Sequence, residues 1–181
     1  TPCTTAPNVQ RSYGNWTPRN GSKARYGQQV PLRWGLQQSN NWISAYLISL
    51  LGPSQFVSIL HDFGLNNPDI DKNTSPVLCL GPSELSVGEM CRAYTTFVNR
   101  GVRCAPLFVT RIEDSHGNIV AKFQPLMNEV ISEESSYKML DMLQAVVQGG
   151  TGGRLRYHYN LTGEIGGKTG TTNKNSDGWF M

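Results

Sequence analysis

The strongest constraint on the fold is a short run near the end of the chain, residues 166–173, with the sequence GGKTGTTN. Its small residues leave backbone N–H groups within reach of a ligand, its hydroxyls are suited to hold a carboxylate, and Lys168 supplies positive charge. Thr169 and Thr171 fall on one face of a strand, because side chains alternate along it. A lysine on an exposed strand before a turn would explain Lys-Thr-Gly equally well if the motif stood alone.

A second motif lies far upstream, where Ser39-Asn40-Asn41 precedes the apolar run at residues 42–47. A Ser-x-Asn followed much later by Lys-Thr-Gly resembles the motif set of penicillin-binding proteins and serine β-lactamases, whose third member is Ser-x-x-Lys. Other segments resemble, in the same order, the transpeptidase domain of class A bifunctional penicillin-binding proteins. They are YGNWTPRN at 13–20, LGPSELS at 80–86, RIED at 111–114 and GGTG at 149–152.

Length and composition agree with one domain that has a hydrophobic core, since the chain has 181 residues of which 38% are hydrophobic. No apolar run approaches the roughly 20 residues that cross a bilayer, and no signal peptide opens the sequence. Membrane attachment is therefore expected only through a segment outside this sequence. The net charge of +3 is spread along the chain, so nucleic acid is not an expected partner.

The four cysteines, Cys3, Cys79, Cys91 and Cys104, show no Cys-x-x-Cys spacing and no nearby histidine. Neither a zinc site nor any other metal or cofactor is expected. Buried free thiols are the simplest interpretation. Disulfides stay open as an alternative in an oxidising compartment, with Cys91 and Cys104 the closest pair in sequence.

Element signals divide the chain into helices followed by hairpin strands. Residues 1–30 are rich in Pro, Gly, Asn and Thr and predict a loop packed over a larger body. Helical spacing runs from Leu32 to Leu51 around Ser39, and Gly52-Pro53 starts another helix that ends at Gly64. Ser39 therefore lies at a helix junction.

Ser83 is predicted to cap a helix that ends before Gly101, and Ser132 to cap the last long helix. That last helix places Leu140, Leu143, Val146 and Val147 on a core face and stops at Gly149-Gly150. Between these two helices, residues 107–113 and 118–123 flank a turn and predict a hairpin. Residues 163–172 and 177–181 predict two more strands.

This order gives an α+β fold, an antiparallel sheet flanked by a helical cluster, as the resemblance to serine β-lactamases and transpeptidases also implies. Residues 1–181 are interpreted as a partial transpeptidase domain, truncated at both ends. The Ser-x-x-Lys segment is expected upstream and the last sheet strands downstream.

The resemblance implies a role for each motif residue. Ser39 would relay a proton, Asn41 would hold the peptide backbone of the substrate, and Lys168 would orient the relay and stabilise negative charge. Thr169 and Thr171 would bind the substrate carboxylate, with the Thr171 N–H in the oxyanion pocket, and Gly170 would leave room for a substrate lying along the strand. Helix capping is the alternative explanation for Ser39.

The acylating serine is missing from its expected place before Ser39. Ser-x-x-Lys occurs only as Ser135-Ser136-Tyr137-Lys138, between the other motifs and in the first turns of a predicted helix. We interpret this occurrence as coincidental. The competing hypothesis makes Ser135 the nucleophile and Lys138 its base, since residues i and i+3 share a helix face.

The resemblance implies a peptidoglycan D,D-transpeptidase that acts through a serine ester on D-Ala-D-Ala stem peptides and is acylated by β-lactam antibiotics. It also implies an upstream glycosyltransferase domain, a place on the periplasmic face of the bacterial inner membrane, and cell-wall assembly proteins as partners. The fragment alone is expected to be inactive. A D,D-carboxypeptidase, a β-lactamase and a non-catalytic binding or scaffold domain of the same fold remain alternatives.

Overall fold

A computed structural model describes residues 3–72, 75–172 and 177–181. Its helices are α1 (Leu32–Gln37), α2 (Asn41–Leu51), α3 (Pro53–Asp62), α4 (Pro68–Asp71), α5 (Val87–Val98), α6 (Glu133–Gly149) and α7 (Arg154–Tyr157), with a 3-10 helix at Pro76–Leu80. Its strands are β1 (Thr5–Pro7), β2 (Gln29–Pro31), β3 (Val102–Cys104), β4 (Arg111–Glu113), β5 (Ile119–Lys122), β6 (Met127–Glu129), β7 (Thr169–Thr171) and β8 (Gly178–Phe180). The predicted α+β class is confirmed.

All strand pairing in the described part of the chain is antiparallel, as predicted. The strands form four two-stranded ladders, β1–β2, β3–β6, β4–β5 and β7–β8. β1 and β2 enclose the loop predicted for residues 1–30 and bury Ala6 and Val30. The strand predicted for 163–172 is shorter than expected, because only Thr169–Thr171 meets β8.

The predicted break between α2 and α3 is confirmed. Gly52 has a φ of +88°, a left-handed conformation that glycine adopts at little cost, and Pro53 starts the next helix because its fixed φ suits that position. Among the described residues, no single helix is long and apolar enough to cross a membrane. α2 and α3 together have the length and composition, but the chain bends by 95° between them.

The cap predicted for α5 is wrong by three residues. Ser86, not Ser83, precedes the helix, and its hydroxyl accepts a hydrogen bond from the Glu89 N–H at 3.2 Å. The Glu89 carboxylate accepts one in return from the Ser86 N–H at 2.8 Å. Only Ser86 has a glutamate three positions later, so only Ser86 completes the reciprocal pair. Ser132 caps α6 as predicted.

Helix α6 is the element on which the site is built. Three of the four residues predicted for its core face, Leu143, Val146 and Val147, are buried, and Leu140 is half-buried. α6 packs against α1, the helix that leads into Ser39. The helix that leads into the Ser39 junction therefore lies against α6.

None of the four cysteines forms a disulfide. The expectation that all four thiols are buried is wrong, because Cys3 and Cys91 are exposed. Cys79 and Cys104 are half-buried.

Candidate active site

The junction between α1 and α2 holds Ser39 in an unusual backbone conformation. Its φ is +51°, in the left-handed region that residues with a β-carbon seldom adopt. The turn is fixed by hydrogen bonds from the Ser39 N–H to the Leu36 carbonyl at 3.0 Å and from the Asn40 N–H to the Gly35 carbonyl at 2.9 Å. These contacts hold the turn between the two helices, and Ser39 within it is exposed.

Asn40, not Ser39, caps α2. The Asn40 Oδ1 accepts hydrogen bonds from the N–H groups of Trp42 and Ile43, each at 3.1 Å. The capping explanation for Ser39 is therefore excluded. Its hydroxyl is left for another partner.

Lys168 lies immediately before β7 and is held by that strand's ladder. Its N–H donates to the Met181 carbonyl at 2.8 Å, and the Met181 N–H donates back to the Lys168 carbonyl at 3.1 Å. The preceding Gly167 is buried and donates its N–H to the Leu143 carbonyl of α6 at 3.1 Å. β7 is thereby anchored to the same helix that supports the Ser39 junction.

Gly166 and Gly167 serve packing. A β-carbon at Gly167 would lie 2.5 Å from the Phe180 ring, and one at Gly166 would lie 3.1 Å from the Gln144 nitrogen. The expectation that the small residues of this run keep backbone open to a ligand is thus wrong for Gly167, which is buried, whereas Gly166 is exposed. Gly170 is exposed, in keeping with that expectation.

The two motifs meet, although they are 129 residues apart in the sequence. The Lys168 ammonium donates a hydrogen bond to the Ser39 hydroxyl at 2.8 Å and another to the Thr169 carbonyl at 2.6 Å. Partial burial lowers the pKa of Lys168, because it removes water from around the charged form. A cation with a reduced hold on its proton therefore contacts a hydroxyl that is still exposed to solvent.

The threonines of β7 differ in their surroundings. Thr169 is half-buried, and its hydroxyl lies 2.6 Å from that of Thr151, in the turn after α6. Thr171 is exposed. Within the described residues β7 pairs only with β8, so its other edge has no strand beside it. Asn173, the last residue of the run, lies outside the described residues.

Asn41 is engaged by a loop that sequence reasoning did not place at the site. Its side-chain Nδ2 donates to the Arg19 carbonyl at 2.7 Å, and its backbone N–H donates to the Asn20 Oδ1 at 2.7 Å. A cavity of about 240 Å³ lies beside Ser39, with Asn20, Ser22 and Ala24 on the loop side. Ser39, Asn40 and Thr151 also line it.

Neither Asn20 nor Thr151 was predicted as a site residue. Both belong to segments noted in the sequence, YGNWTPRN and GGTG, but their order alone gave no spatial information. What brings Thr151 here is the hydrogen bond from its N–H to the Gln37 carbonyl at the end of α1, at 3.1 Å.

The second Ser-x-x-Lys is remote from this site. Ser135 accepts a hydrogen bond from the Ser132 hydroxyl at 3.0 Å, and Lys138 pairs with Glu134. Both lie in the first turns of α6, whose opposite end contacts Gln37. At 1.5 Å per residue, Ser135 is about 20 Å along the helix axis from that end. The coincidental interpretation is supported by this separation.

Comparisons with a family model, with known sequences and with solved structures all give penicillin-binding proteins. The family described as penicillin binding protein transpeptidase domain matches residues 3–180. A penicillin-binding protein 1A from Clostridium novyi is 33% identical over 170 residues, which cover 92% of this chain and 19% of that protein. One from Neisseria lactamica is 32% identical over 177 residues and is covered to 21% of its length.

The crystal structure of penicillin-binding protein 1A from Haemophilus influenzae aligns with 99% of the chain at a TM-score of 0.84 and 25% identity. The chain covers 33% of that protein. The crystal structure of penicillin binding protein 3 from Mycobacterium tuberculosis, complexed with aztreonam, aligns with 95% of this chain at a TM-score of 0.76 and 23% identity. The alignment covers 43% of that protein and supports the fold. The chain spans about a fifth of the length of the sequence relatives named above.

Proposed function

Because the chain belongs to the family of penicillin-binding protein transpeptidase domains, we propose that it forms part of a serine-type D,D-transpeptidase that cross-links D-Ala-D-Ala stem peptides of peptidoglycan. The observation that carries this proposal is the 2.8 Å hydrogen bond from Lys168 to Ser39. It supplies a cation in direct contact with a hydroxyl, as proton transfer during acylation requires, and Ser39 lines the cavity described above.

In the reaction we propose, a serine outside residues 1–181 attacks the carbonyl between the two D-alanines. An ester forms, the peptide bond breaks, and D-alanine leaves with a proton on its nitrogen. Ser39 passes that proton from the nucleophile's side of the cleft to the leaving amine, and Lys168 orients the Ser39 hydroxyl. An amine of a second stem peptide then attacks the ester. The new peptide bond forms as the ester bond breaks, and the proton lost by the amine passes to the serine oxygen.

The remaining predicted residues would bind the substrate. Thr169 and Thr171 offer hydroxyls to its terminal carboxylate, and the Thr171 N–H would form half of the oxyanion pocket. The edge of β7 beside Gly170 suits an extended peptide, which would add to it as a strand. Asn41 would bind the peptide backbone after its amide exchanges the Arg19 carbonyl for substrate.

We propose the same setting for the parent protein that the sequence resemblance implied. It would face the periplasm from the bacterial inner membrane, carry a glycosyltransferase domain and the Ser-x-x-Lys segment upstream, and interact with cell-wall assembly proteins. β-Lactams would acylate its serine. A β-lactam complex of a structural relative, the aztreonam complex of the Mycobacterium protein, supports this last point. Without the nucleophile, residues 1–181 alone would be inactive.

The experiment is covalent labelling of the full-length protein with a fluorescent penicillin, followed over time on a gel. Lys168→Ala should slow acylation about 100-fold or more, as loss of a preorganised charge at a reacting centre does. Lys138→Ala is the matched control, because it removes a lysine paired with Glu134 on the remote end of α6. Its rate should equal that of the unmodified protein.

A near-normal rate for Lys168→Ala would refute the assignment. Loss of the adduct in Ser135→Ala, read by intact mass, would make Ser135 the nucleophile. Rapid hydrolysis of the penicillin would indicate a β-lactamase, and release of D-alanine without cross-linked product would indicate a carboxypeptidase. No labelling at all would favour a binding or scaffold domain.

A further inference from the structure

A pair of buried asparagines lies directly behind the Ser39 junction. The Asn8 side chain has no exposed surface and Asn40 is 6% exposed. The Asn40 Nδ2 donates to the Asn8 Oδ1 at 2.9 Å, across 32 residues of sequence. Buried amides are costly unless they are hydrogen-bonded, so the arrangement of this pair is strongly constrained.

Asn8 joins the pair to the loop on the far side of the cavity. Both of its Nδ2 hydrogens are used, one on the Ala24 carbonyl and one on the Arg25 carbonyl, each at 2.9 Å. Its backbone is also tied down, because its N–H donates to the Gln28 carbonyl and its carbonyl accepts from Gly27. Asn8 thus holds the loop next to Ala24, which lines the cavity beside Ser39.

Asn40 joins the pair to helix α2. Its Oδ1 accepts from two N–H groups of the first helical turn, and its own N–H donates to Gly35 in α1. Neither side-chain amide can be flipped so that its oxygen and nitrogen exchange places. Reversal of Asn40 would place its NH₂ against the helix donors, and reversal of Asn8 would place its oxygen against two carbonyls.

We propose that Asn8 is a positioning residue that fixes the distance between the Ser39 junction and the opposite loop of the cavity, and so keeps the Ser39 hydroxyl against Lys168. Hydrogen bonds run from the loop carbonyls of Ala24 and Arg25 through Asn8 to Asn40, the residue next to Ser39. Ser39 needs such support, because a left-handed backbone at a residue with a β-carbon persists only where its surroundings enforce it. The role in catalysis rests on the proposed function.

The test uses the full-length protein with Asn8→Leu, which keeps the side-chain shape and removes its hydrogen bonds. Two quantities are measured: the saturable acylation by fluorescent penicillin, resolved into an affinity and an acylation rate constant, and hydrogen–deuterium exchange of residues 39–43. The acylation rate constant should fall about 10-fold or more while the affinity changes little, since misplacement of a catalytic group slows the chemical step. Exchange at residues 39–43 should rise.

Asn67→Ala is the matched control. Asn67 also joins two segments, through the Asp69 N–H at 2.9 Å and the Glu84 carbonyl at 2.6 Å, but it lies outside the cavity. It should leave the acylation rate constant and the exchange of residues 39–43 unchanged. Equal slowing by Asn67→Ala would overturn the proposal, because general loss of stability would then explain both variants.

A wild-type acylation rate constant in folded Asn8→Leu would also overturn it. If Asn8→Leu does not fold, Asn8→Ser takes its place with the same readouts, and a wild-type rate there has the same meaning. If the unmodified protein is not acylated at all, the proposed function fails separately. Exchange at residues 39–43 then decides: a rise in the Asn8 variant alone supports positioning, and no rise refutes it.

Discussion

The hydroxyl oxygens of Thr151 and Thr169 lie 2.6 Å apart, so the turn after α6 is joined to the strand that follows Lys168. The backbone of Thr151 also donates to Gln37, at the end of the helix that leads to Ser39. One residue therefore contacts both chain segments that form the Ser39–Lys168 pair. Thr151 therefore links these two segments directly.

Replacement of Thr151 by valine tests that link. Thr151→Val keeps the shape and removes the hydroxyl, so the free energy of unfolding should fall by about 0.5–1 kcal/mol, the usual net value of one hydrogen bond. Acylation by penicillin should slow as well, because β7 is less firmly held beside α1. Thr151→Ser retains the hydroxyl and should lie close to the unmodified protein in urea denaturation and labelling. Equal behaviour of the two variants would contradict the link.

The approach of α1 to the end of α6 predicts a large effect at Gly150. A β-carbon there would lie 2.2 Å from the Gln37 carbonyl oxygen and 2.9 Å from the Val146 carbonyl oxygen. Gly150→Ala should therefore lower the free energy of unfolding by about 1–3 kcal/mol, the range for overpacking.

The neighbouring Gly149→Ala is the control for Gly150→Ala. Its β-carbon would meet only the end of the flexible Gln37 side chain, at 3.3 Å. Its unfolding free energy should stay within about 0.5 kcal/mol of the unmodified value. Urea denaturation measures both variants, and equal destabilisation would show that the close approach is not maintained.

The predicted and the observed caps of α5 are two serines three residues apart, Ser83 and Ser86. Ser86→Ala should lower the free energy of unfolding by about 1 kcal/mol, since it removes the hydroxyl that caps the helix and also donates to the Glu89 carboxylate. The backbone N–H of Ser86 and its hydroxyl both lower the pKa of Glu89, so the contribution of this carboxylate is present at neutral pH and is lost as pH falls through that lowered pKa. Ser83→Ala should have a smaller effect at pH 7, and a larger one would restore the original prediction.

Burial raises the pKa of Cys79 to about 11, mainly by penalising the thiolate. At pH 8 only about one thiol in a thousand would be ionised at that site, so iodoacetamide should modify the exposed Cys3 and Cys91 well before Cys79. Peptide mass mapping over time measures the order, and all four should react in denatured protein.

The same shift at Cys79 has a defined effect on stability. A raised folded-state pKa stabilises the fold below the ordinary thiol value of 9.0, and this contribution is lost as pH rises from there toward about 11. Cys79→Ala should reduce that alkaline loss. Rapid labelling of Cys79 in folded protein at pH 8 would contradict the burial on which both expectations depend.

Helix breaks and helix caps were predictable from the sequence where a few neighbouring residues determine them. Gly52-Pro53 marks a helix break in the sequence, and the structure has one there because the two residues fix the backbone angles themselves. The cap at Ser132 was predictable because its hydroxyl accepts a hydrogen bond from the N–H of Ser135, only three residues away. The cap of α5 was misplaced, since two serines three residues apart both precede a helical pattern. The deciding residue was Glu89, one turn into the helix.

The sequence by itself determined which residue types are available for the chemistry, Ser39 at a helix junction and Lys168 before a strand, and through them the family. Tertiary structure alone decided that Thr151 joins the two segments and that Asn8 lies behind the cavity. Periodicity and caps are encoded over a few neighbouring residues. The contact between Ser39 and Lys168 instead depends on how α1 and β7 both pack against α6, which no local pattern records.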